Sequence, residues 1–190
     1  VEEAQGTLAG DIAMVFKNGD VRVKGNTFEI ITITNKNTYL TERAAGLDAT
    51  IQSNIVAMTS LTGSLHADFL AVYNAMDKAA ALAAGITEGQ LQGALAGDIA
   101  LILKNGELRV QGNSFAKLPV ADPNAYLVAR AGGLDAAVQA DIASMLDTAG
   151  TLHADFLKVW NAMDTTALPA GVTIEEAQGT LAGDIAMVFK

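Results

Sequence analysis

The sequence predicts an α+β chain built by tandem repetition of modules of about 86 residues. Three observations predict it. "LAGDIAMVFKNGDVRVKGNTF" at Leu8 to Phe28 returns as "LAGDIALILKNGELRVQGNSF" at Leu95 to Phe115. An Asn-Gly pair stands between two apolar-alternating runs in both copies, at 18–19 and 105–106. Apolar residues stepping by three or four follow each run, as on one face of a helix. Each module therefore reads as a short helix, a small antiparallel sheet with an Asn-Gly hairpin, and two amphipathic helices.

The repeat has an offset of 87, and residues 1–77 match 88–164 at 40 positions, about half. "EEAQGTLAGDIAMVFK" at Glu2 to Lys17 returns without change at Glu175 to Lys190, whereas 2–17 match 89–104 at only nine of sixteen positions. The third copy is thus a return of the first type. The organisation is module A over 1–86, module B over 87–172, and the start of a third, A-type module over 173–190. The chain stops one residue short of the Asn that follows Lys17 and Lys104, and it opens on Val1 with neither initiator Met nor leader. Both ends read as a window on a longer array.

Taken in order, the capping-box pattern "TIEE" at Thr173 to Glu176 predicts a short helix at the start of each copy. "DIAMVFK" is expected to be a strand, turning through Asn18-Gly19 so that Lys17 faces Asp20, Phe16 faces Val21 and Met14 faces Val23. A helix over the same residues is the rival, because Leu8, Ile12 and Val15 have helical spacing and Asn-Gly also ends helices. It would carry Gly6 and Gly10 at about 1 kcal/mol each. "TFEIITIT", Thr27 to Thr34, reads as a further strand, interrupted in B by Pro119 and Pro123.

The stripe Leu40, Ala44, Leu47, Ile51, Ile55, Met58 predicts the first amphipathic helix, with Leu127 to Met145 its counterpart. Ser64 or Thr151 is expected to N-cap the second, which buries Leu65, Phe69, Val72 and Met76, or Leu152, Phe156, Val159 and Met163. "LPAG" at Leu168 to Gly171 ends module B. The links "AAGIT" and "PAGVT" are short, so the modules are expected to touch.

Composition narrows function. The net charge is −9, and twelve scattered Lys and Arg make no basic face, which excludes a nucleic-acid partner. No apolar run is long enough to span a membrane. There is no cysteine, hence no disulfide, thiolate nucleophile or thiolate-bound metal.

Chemistry-bearing residues are few. His66 and His153 stand at equivalent places in "LHAD". Asp68 lies about 200° around the helix from His66, and Asp77 about 16 Å along it, so no site forms and zinc lacks ligands. The Gly-x-x-x-Gly spacing from Gly6, Gly93 and Gly179 reads as a turn or tight contact. "NKN" (35–37) and "DPN" (122–124) offer oxygen ligands for calcium, but ordinary turn chemistry is the default. Asp11, Asp98 and Asp184 are expected to start a strand or end a turn, and Tyr73 and Trp160 to pack. No catalytic, cofactor or metal residue is assigned, and no enzyme activity is expected.

In repetition and composition the layout resembles repetitive bacterial surface proteins. The expected function is structural: a segment of a long secreted tandem-repeat protein forming a fibre, sheath or adhesive stalk, at the cell surface or outside the cell, with homotypic contacts between repeats or chains. One alternative is a self-assembling filament subunit whose strand 183–190 complements a neighbour's sheet. A second is a carbohydrate- or calcium-binding repeat.

Overall fold

A computed structural model describes all 190 residues as an α+β chain of ten helices and two separate two-stranded antiparallel sheets. The order is α1 (Glu2–Asn18), β1 (Asp20–Lys24), β2 (Thr27–Ile31), α2 (Lys36–Gly46), α3 (Ala49–Thr59), α4 (His66–Ala75) and α5 (Ala79–Ala83). It continues with α6 (Glu88–Asn105), β3 (Glu107–Gln111), β4 (Ser114–Leu118), α7 (Pro123–Gly133), α8 (Ala136–Leu146), α9 (His153–Ala162) and α10 (Ile174–Phe189). No helix is long and apolar enough to cross a membrane.

"DIAMVFK" is not a strand but the second half of α1, and its counterparts lie at the ends of α6 and α10, where only Lys190 falls beyond the last helical residue. Asn18-Gly19 does not turn a hairpin. It stops the helix, with Gly19 at φ +85 and its N–H donating to the Val15 carbonyl at 2.7 Å. A Cβ on Gly19 would stand 2.7 Å from the Ile31 carbonyl oxygen, so the position needs glycine for both its backbone angle and its space. The hairpin turns seven residues later through Gly25-Asn26, pairing Lys24 with Thr27 and Val23 with Phe28. Gly25 takes φ +61 at the first loop position, where a type II′ turn requires it. Gly112-Asn113 does the same in the second sheet.

The helical reading wins because burial in these segments has a period near 3.6. In α6 the buried side chains are Leu91, Leu95, Ala96, Ile99 and Ala100. In α10 they are Ala177, Leu181, Ala182 and Ala186. The capping box at Thr173 and Glu176 forms as expected, and Thr87 with Gln90 forms another. Each introduces a helix of sixteen residues or more rather than a short one.

Three further expectations change. The stripe from Leu40 to Met58 is two helices, α2 and α3, because Asp48 breaks it: its carboxylate caps α3 by accepting the Ile51 N–H at 3.0 Å. Asp135 breaks the B stripe likewise, bonding Ala137 and Val138. The second stripe starts at Leu65 and Leu152, with no side-chain cap, so Ser64 and Thr151 do not play that part. Thr151 instead bonds the Ser144 hydroxyl at 3.0 Å. The strand expected over Thr27 to Thr34 ends at Ile31, and Pro119 follows directly on β4. The short α5 has no counterpart in the second half, where Pro169 intervenes.

There are two apolar cores. The first joins Phe28, Ile51, Met58, Phe69, Val72 and Tyr73 to Leu91, Leu95 and Ile99 of α6, and to Leu127 of α7. The second joins Phe115, Val138, Ile142, Met145, Phe156 and Trp160 to Ala177, Leu181, Ala182 and Ala186 of α10. Each core is therefore closed by a helix that begins the next copy of the sequence.

Candidate functional site

The most developed geometry in the molecule is the seat that receives this closing helix. α6 lies across α3, β1 and α4, and α10 lies across α8, β3 and α9. Three kinds of contact hold each helix. Its apolar stripe enters the core, and full burial of each of Leu91, Leu95 and Ile99 contributes about 1.5–3 kcal/mol.

At mid-helix an aspartate reaches the outer edge of the sheet. Asp98 accepts the backbone N–H of Val23 at 2.9 Å, and Asp184 that of Val110 at 3.1 Å. An arginine of the same strand flanks each carboxylate: Arg22 at 3.8 Å from Asp98 and Arg109 at 3.2 Å from Asp184. Burial raises the Asp98 pKa, against the opposing pull of the Val23 N–H and Arg22. The recurring "GDIA" aspartates thus neither start a strand nor end a turn. They satisfy donors on an edge strand that would otherwise lie unpaired against the helix.

At the helix end a lysine pairs with the aspartate that caps the opposing helix. Lys104 pairs with Asp48, and Lys190 with Asp135. The hydrogen bond from lysine, then the backbone N–H of Ile51 or Val138, lowers the pKa of each carboxyl group.

α1 carries the same side chains but has no seat. It buries none of its residues and meets the rest of the chain at Phe16, whose ring stands edge-on to Tyr39 at 5.6 Å. Between α1 and α2 lies an open apolar cleft of about 220 Å³ lined by Leu8, Ile12, Leu40, Arg43, Ala44 and Leu47.

The other candidate residues have structural partners. The His66 Nδ1–H donates to the Met58 carbonyl at 2.8 Å, and His153 to Met145 at the same distance, each pinning the start of one helix to the end of the previous one. No group of three or more His, Asp or Glu side chains is arranged to hold a metal ion. In "NKN" and "DPN", Asn35 and Asp122 cap α2 and α7 rather than making free turns. The Gly-x-x-x-Gly glycines lie inside helices, and a Cβ at Gly6, Gly10, Gly93, Gly97, Gly179 or Gly183 would meet nothing within 4 Å. They mark neither a turn nor a tight contact. Tyr73 stacks on Phe69 at 6.4 Å and donates its hydroxyl to Glu88 on α6, while Trp160 packs on Phe115 at 6.0 Å.

What the arrangement does chemically is recognition of one amphipathic helix, by an apolar groove, a hydrogen bond at mid-length and an ion pair at the end. Neither family models, characterised proteins nor solved structures give a match to this chain.

Proposed function

We propose that this chain is a non-catalytic, structural segment of a long secreted tandem-repeat protein, forming a fibre, sheath or adhesive stalk at the cell surface. Its modules are 1–86, 87–172 and the start of a third at 173–190. The supporting observation is the shared core: Leu91, Leu95 and Ile99 belong by sequence to one repeat and close the apolar core of the repeat before it. Repeats joined in this way have a fixed mutual geometry, and each contributes to its neighbour's stability, as in solenoid arrays. Gln139 on α8 adds a polar tie across the join, donating to the Ala75 carbonyl at 2.9 Å.

The intact mass of the natural polypeptide under denaturing conditions tests the reading. A mass many times 19.6 kDa is the expected result. A mass near that value overturns the covalent array and leaves a second reading, a self-assembling filament subunit. Residues 183–189 are helical, so a subunit of that kind would exchange helices rather than donate the strand anticipated from sequence.

A further inference from the structure

We propose that two copies of this chain associate head to tail. The α1–α2 face of one takes the place of α10, and covers α9, on the second half of the other. The partner follows from two facts about the chain itself.

First, the ligand of that seat is known. α10 occupies it, and residues 2–17 repeat 175–190 without a difference. Ala4, Leu8, Ala9, Ile12 and Ala13 stand where Ala177, Leu181, Ala182, Ile185 and Ala186 stand on α10. Asp11 matches Asp184, which bonds Val110, and Lys17 matches Lys190, which pairs with Asp135. α1 therefore holds every side chain that the seat recognises over those sixteen residues, and no residue of it is buried in its own chain.

Second, the junction inside the chain shows both faces in contact. There α6 and α7 present Leu95 and Leu127, which are 1% and 0% exposed, to the core around α4. The equivalent Leu8 and Leu40 on α1 and α2 are 43% and 39% exposed. On the other side Val72 of α4 is 0% exposed, whereas its equivalent Val159 on α9 is 44% exposed. At the internal junction Gln139 reaches the Ala75 carbonyl, while its equivalent Gln52 bonds only the Leu47 carbonyl of its own chain. Placed head to tail, Gln52 would meet Ala162, the counterpart of Ala75. The exposed α1–α2 and α9 faces are the counterparts of two faces that meet at the internal junction.

In a second copy α10 competes from within the same chain, at an effective concentration in the millimolar range or above. Exchange replaces that helix by the same sixteen residues and adds the cover of α2 on α9 that α10 alone leaves open. Association is therefore expected to rise with chain concentration.

The proposal goes beyond the array reading and is decided separately. The intact mass reports covalent length, whereas this contact is read on the chain of 190 residues. The test mixes isotopically heavy and light copies, treats them with a carbodiimide that joins touching amines and carboxylates, and follows mean mass by sedimentation as concentration rises. The expected result is a heavy-to-light cross-link between Lys17 and Asp135, beside the internal Lys104–Asp48 and Lys190–Asp135 links, and a mean mass that climbs with concentration. The variant Ala9→Glu with Ala13→Glu, at exposed positions of α1, places carboxylates on the docking face and is expected to weaken association at least about tenfold. A chain that stays monomeric into the millimolar range with internal links alone overturns the proposal. So does association that lacks the Lys17–Asp135 link or persists unweakened in the variant.

Discussion

Asp184, midway along α10, accepts the backbone N–H of Val110 on the outer edge of the second hairpin at 3.1 Å. The two residues are 74 apart in sequence. Asp98 and Val23 repeat the relationship on the first hairpin, but Asp11 has no such partner. Replacing Asp184 with Ala leaves a half-buried N–H unpaired and is expected to cost about 1–3 kcal/mol. Asp11→Ala is expected to change stability by less than about 0.5 kcal/mol in dilute solution. Urea unfolding of the two variants beside the parent checks the contrast.

The aspartates at the seat respond to pH with opposite signs. Burial raises the Asp98 pKa above the ordinary 3.8, so its contribution is fully present below 3.8 and is lost as pH climbs through the raised value. The lysine contacts lower the pKa of Asp48 and Asp135, so theirs is fully present above 3.8 and is lost as pH falls through the depressed values. Asp98→Asn keeps an oxygen for the Val23 N–H and removes the buried charge. Relative to the parent, this variant is expected to gain stability between acid and neutral pH. Asp135→Asn is expected to lose most at neutral pH and to approach the parent in acid. Unfolding midpoints across that range distinguish the two.

Two glycines predict opposite outcomes on gaining a methyl group. A Cβ on Gly63 would stand 2.1 Å from the Ala57 carbonyl oxygen, where the chain doubles back from α3 into α4. Gly63→Ala is expected to destabilise by about 1–3 kcal/mol. Gly93, in α6, has nothing within 4 Å of its Cβ position, and Gly93→Ala is expected to stabilise by up to about 1 kcal/mol. Thermal melts of both read the sign directly.

The histidines are expected to act through one hydrogen bond each. His66→Ala removes the bond to the Met58 carbonyl and should cost about 0.5–1.5 kcal/mol. His153→Ala should cost a similar amount, and added zinc should leave the melting temperature of the parent unchanged. A zinc-dependent rise would contradict a purely structural role for the pair.

Local chemistry was legible and remote chemistry was not. The capping box at Thr173 and Glu176 needs only four consecutive residues, and it is present. "KNGDVRVKGN" contains two competent turns, Asn18-Gly19 and Gly25-Asn26, and Asn-Gly serves a hairpin or a helix end equally well. Alternation of Ile12, Met14 and Phe16 favoured a strand. What decided for helix is a stripe partly made of alanines, Ala96 and Ala100 in α6, whose smallness lets the helix lie close against its seat. The break at Asp48 was hidden because apolar spacing runs in phase through both α2 and α3. The partners of Asp98 and Asp184 lie on another element altogether. Their signal was recurrence of one acidic residue at a fixed place within an apolar stripe.

α6 ends one core and, through the single residue Gly106, leads straight into the first strand of the next hairpin. It is 18 residues long, about 27 Å at 1.5 Å per residue. Tension applied along the backbone would therefore pass through a packed helix at the junction, with no slack peptide there to pay out first. In the proposed array, a tether built this way would hold its length as load rises, then lengthen by abrupt steps as whole cores give way. Each step also strips its neighbour of a helix or a covering face, so failure would spread from the point where it began.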